Sequence, residues 1–116
     1  RAWLVRALTA SPRSGPALDE LVELALELIE ERGALHEDLF DEVRPLCADE
    51  ALARRLGALD AMLAYGASIG HPDLHARHAH RLTEAVAQLP PEGYAELLGY
   101  LRERGARWLQ LPEPAP

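Results

Sequence analysis

Leucine and alanine recur at three- and four-residue spacing along almost the whole chain, and no stretch alternates apolar with polar residues for long. β-branched residues are scarce. That period fits α-helices and leaves no candidate strand. Glycines and prolines cut the pattern into six predicted helical segments: about 2–10, 16–32, 36–45, 50–65, 72–89 and 91–109. Short links between amphipathic helices make antiparallel neighbours, so the expected fold is all-α, a compact antiparallel six-helix bundle. With 116 residues, 48% of them hydrophobic, there is material for one core and one domain, expected over residues 1–110.

The punctuation is specific. Ser11-Pro12-Arg13-Ser14-Gly15-Pro16 breaks the chain ahead of the second segment. There Leu18, Leu21, Val22, Ala25, Leu28 and Ile29 fall at i, i+3, i+4, i+7, i+10 and i+11, and Leu24 and Leu26 widen the apolar arc past half the circumference. Such a helix should touch neighbours on several sides and be central. Gly33 supplies a left-handed stop. In the third segment Leu35, Leu39, Val43 and Leu46 mark the buried side and Pro45 the end. Asp49 is the expected N-cap of the fourth, whose stripe is Leu52, Leu56, Leu59 and Leu63 and which Gly66 and Gly70 close. Pro72 opens the fifth, with Leu74, Leu82, Ala85, Val86 and Leu89 buried. Tyr94, Leu97, Leu98, Leu101 and Trp108 form the stripe of the sixth. The run Leu111-Pro112-Glu113-Pro114-Ala115-Pro116 is expected to be a semi-rigid linker or tail, as in a module of a longer polypeptide.

Charge is segregated. Residues 1–16 carry three Arg and no acid; residues 17–50 carry twelve acids against Arg32 and Arg44, a local net of −10; residues 51–116 carry seven of each sign. The total of −7 disfavours general nucleic-acid binding, which draws its affinity from phosphate neutralisation. No apolar run is long enough to span a bilayer. The single Cys47 excludes an internal disulfide and fits a reducing, cytoplasmic setting, most simply as a buried inert thiol. Opposed acidic and basic surfaces on one small domain suit a charge-complementary protein partner, another copy included.

Three patterns raise the question of chemistry. Gly66-Ala67-Ser68-Ile69-Gly70 spells the G-x-S-x-G of a nucleophile elbow, but it follows a helix where that motif needs a strand. His71, His75 and His78 stand one turn apart, so a histidine-cluster metal site is an alternative reading, with His80 pointing elsewhere. His80-Arg81-Leu82 resembles the exposed histidine of phosphotransfer bundles, yet Thr83 and Glu84 follow where that family carries a lysine and a glycine. No enzymatic activity, cofactor or catalytic residue is expected.

The stretch Leu28-Ile29-Glu30-Glu31-Arg32-Gly33-Ala34-Leu35-His36-Glu37-Asp38-Leu39-Phe40-Asp41-Glu42-Val43-Arg44 resembles the second-to-third helix passage of caspase-recruitment (CARD) domains of the death-fold superfamily. Ala53-Arg54-Arg55-Leu56, Leu59-Asp60, Leu63 and the closing Gly66 continue the likeness, which covers roughly residues 18–66. The chain is also similar to small effector-associated adaptor domains of bacterial defence proteins. The resemblance implies an adaptor that recruits or clusters a tethered protein by homotypic association, in bacterial antiphage defence or signalling. Its acidic patch would be Glu30, Glu31, Asp38, Asp41 and Glu42, its basic patch Arg6, Arg54 and Arg55. A structural accessory bundle of a larger enzyme is a further alternative.

Overall fold

The structure, a computed structural model, describes residues 15–33, 40 and 50–114, the first four of them by backbone alone. Four α-helices run through these residues: α1 (Gly15–Arg32), α2 (Glu50–Ala67), α3 (Pro72–Ala87) and α4 (Gly93–Glu103), followed by a 3-10 turn at Ala106–Trp108. There is no strand among them. The first and third predicted segments lie outside the described residues, apart from Phe40, which is fully buried. The Cα radius of gyration, 13.4 Å, is about that of a compact domain of this length.

Among the described helices the central place belongs to α2, which touches α1, α3 and α4. The reason for the place of α2 among them is steric. The leucine stripe of α2 is real, with Leu56, Leu59 and Leu63 buried, but Ala58, Ala61, Met62 and Ala64 are buried as well. Seven consecutive residues, 58–64, have no exposed face. Alanines are small enough to let neighbouring helices approach on sides that a leucine count leaves blank. Helix α1 buries Leu21, Val22, Ala25, Leu26 and Ile29, packs the half-buried Leu24 and Leu28 against the core, and keeps its glutamates in solvent.

Two expected stops are in place. Gly33 sits at φ 67° and its N–H bonds the Ile29 carbonyl at 2.8 Å. Pro72 occupies the first turn of α3, with His71 in the N-cap position. The last helix departs from its predicted bounds. It ends at Glu103, because Gly105 turns left-handed at φ 81° and the chain re-forms only as the 3-10 turn. Arg104-Gly105 repeats the Arg32-Gly33 stop. The phase shift leaves Trp108, expected in the buried stripe, 43% exposed, and buries Ala106 and Leu109 in its place. Nor does Gly66 close α2: it lies within the helix, facing Leu109, whereas Gly70 is in the turn to α3.

Candidate functional site

The exposed side of α1 is a run of carboxylates. Glu20, Glu23, Glu27, Glu30 and Glu31 recur at i, i+3, i+7, i+10 and i+11 and all are exposed. Glu23–Glu27 and Glu27–Glu31 are like-charge pairs four residues apart, each unfavourable by a few tenths of a kcal/mol. Glu30 and Glu31 also stand in the last turns of α1, where the carbonyl end of the helix disfavours negative charge. The arrangement is thus locally destabilising; Glu23 feels the nearby Arg104 guanidinium, and none of the five belongs to an ion pair among the described residues.

Asp19 belongs to the same helix but not to this face. It accepts a 2.6 Å hydrogen bond from the Tyr100 hydroxyl and pairs with Arg104 at 2.7 Å. The Arg104 guanidinium lies 3.9 Å over the Tyr100 ring. The Tyr100 hydrogen bond, with Arg104 acting in the same direction, holds the Asp19 carboxyl below its ordinary range, while burial and the bond to Asp19 push the Tyr100 phenol up. This trio ties the start of α1 to the end of α4.

Of the predicted interaction residues, Glu30, Glu31, Arg54 and Arg55 are on the surface; Arg6, Asp38, Asp41 and Glu42 lie outside the described residues. Arg54 pairs with Glu50 one turn earlier at 2.6 Å, both ends exposed. Arg55, Arg77 and Arg107 are exposed and take part in none of the ion pairs among the described residues. Arg54 also rims a groove of about 470 Å³ between α2 and α3, with Ala53, Gly57, Ala61 and Ala85 along it and Glu50, Arg81 and Glu84 beside them. The rim carries two charges of each sign and so selects neither.

Arg81 reaches from this rim inward, toward Asp60 at 3.4 Å and to His78 Nδ1 at 3.0 Å. A guanidinium can only donate, so Nδ1 accepts and the ring proton sits on Nε2. Asp60 and His78 are both buried. Sequence reasoning missed this cluster. Its one visible signal was a carboxylate inside the apolar run from Ala58 to Ala64, where an ionisable group needs a partner.

The residues of the two chemical motifs lie at the turn between α2 and α3 and along α3. The Ser68 hydroxyl, only 2% exposed, lies 3.0 Å from the Tyr65 carbonyl oxygen and 3.2 Å from His75 Nδ1. Ser68 thus has two acceptors within reach, and which of them takes its proton follows the His75 tautomer. The His75 ring rests against Tyr65, centroids 4.2 Å apart, so the pair fastens the turn between α2 and α3. The histidine cluster does not gather either. His71 is exposed at the N-cap, His75 is held by Ser68, His78 by Arg81, and His80 pairs with Glu84 on the surface. Among the described residues no three His, Cys, Asp or Glu side chains are placed to hold a metal ion.

The chain beyond the 3-10 turn lies back on the bundle. Leu109 is buried and Leu111 packs against the core. The Tyr94 hydroxyl donates to the Pro112 carbonyl, and Arg102 pairs with Glu113. Burial, with Glu113 nearby, pushes the Tyr94 phenol up to about 12, so it stays protonated and donating at neutral pH. No described helix is long and apolar enough to cross a membrane. Comparison of the chain with protein-family models, with curated proteins and with solved structures finds no match.

Proposed function

We propose that the chain is a non-enzymatic protein–protein interaction module, an adaptor that associates with copies of itself or with a related helical domain through complementary charge. In this reading the full domain is an antiparallel six-helix, death-fold-like bundle of a cytoplasmic bacterial defence or signalling protein. The supporting observation is the carboxylate face of α1, whose members form no ion pair among the described residues. It lowers the stability of its own helix and makes no described internal pair, so a cationic partner surface would offset a cost the isolated domain carries. Arg54 and Arg55 supply the matching charge on α2. The Arg54–Glu50 pair is exposed and worth at most about 1 kcal/mol, so it yields readily to an intermolecular one. Head-to-tail contacts of this kind are heterologous and can build open filaments.

The experiment is light scattering across concentration at low and at high salt. Mass should rise with concentration at low salt and fall back once the Debye length shrinks to a few Å. Glu30→Arg and Arg55→Glu should each abolish assembly without loss of helicity, and an equimolar mixture of the two should restore it. A protein that stays monomeric at high concentration and low salt overturns the reading.

A further inference from the structure

The end of the described chain divides into an anchor and an arm. Leu109 and Leu111 are packed into the core, whereas Pro112, Glu113 and Pro114 are exposed and held from outside. Three kinds of contact seat the arm. Tyr94 donates to a main-chain carbonyl, Arg102 meets a carboxylate, and apolar side chains of α3 face the prolines. Together they read an extended backbone, an acidic residue and proline rings, the features by which aromatic-lined grooves bind proline-bearing strands.

The seat is incompletely filled. A cleft of about 260 Å³ remains between α3 and the arm, lined by Leu82, Thr83, Val86, Tyr94 and the residues 112–114. Small-molecule sites run from about 300 Å³ upward, so this space suits one large apolar side chain. Pro112 and Pro114 line it and are themselves exposed. A ligand with the arm's backbone and charge but a bulkier residue in the Pro114 position would keep every contact of the arm and add one.

We propose that the α3–α4 cleft is a peptide-binding site for an extended, acidic, proline-bearing segment of a partner polypeptide, and that the chain's own residues 112–114 occupy it as a displaceable lid. The site is separate from the carboxylate face of α1 and does not depend on it. An attached arm competes at an effective concentration on the order of millimolar, so displacement is governed by how well the incoming peptide fills the cleft.

Two fluorescein-labelled peptides test this, read by anisotropy against the intact chain. One has the sequence of residues 111–116; the other carries leucine in the Pro114 position. The leucine peptide should bind at least tenfold more tightly than the first. Glu113→Lys in the protein, which unseats the arm, should tighten leucine-peptide binding about tenfold; Arg102→Ala or Tyr94→Phe added to Glu113→Lys, where the arm no longer competes, should weaken it severalfold. Unchanged circular dichroism of the variants controls for folding. The proposal falls if neither peptide binds, or if Glu113→Lys leaves the affinity unmoved. It also falls if both peptides bind equally, since the cleft would then hold only an arm like its own, supplied by a second copy.

Discussion

Gly66→Ala separates local preference from packing, because the two predict opposite signs. Gly66 lies in the last turn of α2 with an ordinary helical backbone, so alanine there should stabilise the helix by up to about 1 kcal/mol. A Cβ at this position, however, would stand 2.5 Å from Leu109 Cγ and 3.2 Å from Leu109 Cδ2. Carbon atoms settle near 3.5–4.0 Å, so Leu109 must retreat by about an ångström. Leu109 is only 6% exposed, and forcing a packed side chain aside costs about 1–3 kcal/mol. The net expectation is a loss of roughly 1 kcal/mol where helix propensity alone promises a gain. Leu109→Ala by itself should cost about 2 kcal/mol, the low end of such truncations for a residue at the edge of the core. In the double variant the new methyl occupies vacated space and the helical gain is released. It should therefore be more stable than Leu109→Ala alone, by up to about 1 kcal/mol. Urea denaturation followed by circular dichroism measures all four corners of the cycle. If Gly66→Ala alone raises the unfolding midpoint at constant slope, Leu109 does not pack where described and the argument fails.

Asp19→Asn should destabilise by about 1 kcal/mol at neutral pH, a modest figure because its side chain is partly exposed. The folded carboxyl titrates below its ordinary value of 3.8, so its ionic contribution is complete above that value and is lost as pH falls through the folded one. The gap between wild type and variant should therefore narrow in acid; denaturation curves showing a constant gap at neutral pH and near pH 3 would refute the pairing. Arg81→Met, which takes a donor from both His78 and Asp60 while preserving length, should cost about 1–3 kcal/mol. Thermal unfolding unchanged by that substitution would mean that Arg81 is a surface residue with no inward role.

The helices were legible in the chain because their signals are local. Gly33 stops α1 and Pro72 starts α3 through backbone conformations that depend on no distant residue. The end of α4 carries an equally local signal, since Arg104-Gly105 repeats the stop at Gly33 and ends the helix short of its predicted bound. The carboxylate face of α1 was visible as composition and the structure sharpens it to five residues. Arg54, named for the basic patch, is paired with Glu50, a partner at the i,i+4 spacing that the chain itself displays.

Other features had no local signal. Nothing in the order of residues says that the hydroxyl of Tyr100 meets Asp19, eighty-one positions away, or that Tyr94 meets Pro112. Nor does the pattern Gly66-Ala67-Ser68-Ile69-Gly70 say that Ser68 is buried between the Tyr65 carbonyl and the His75 ring. Helical period, stops and charge content are properties of a few consecutive bonds and side chains, so the sequence determined them by itself. Which helix stands at the centre, which glycine must stay bare and where the proline-bearing end comes to rest depend on small residues letting distant surfaces approach, and tertiary packing alone decides that.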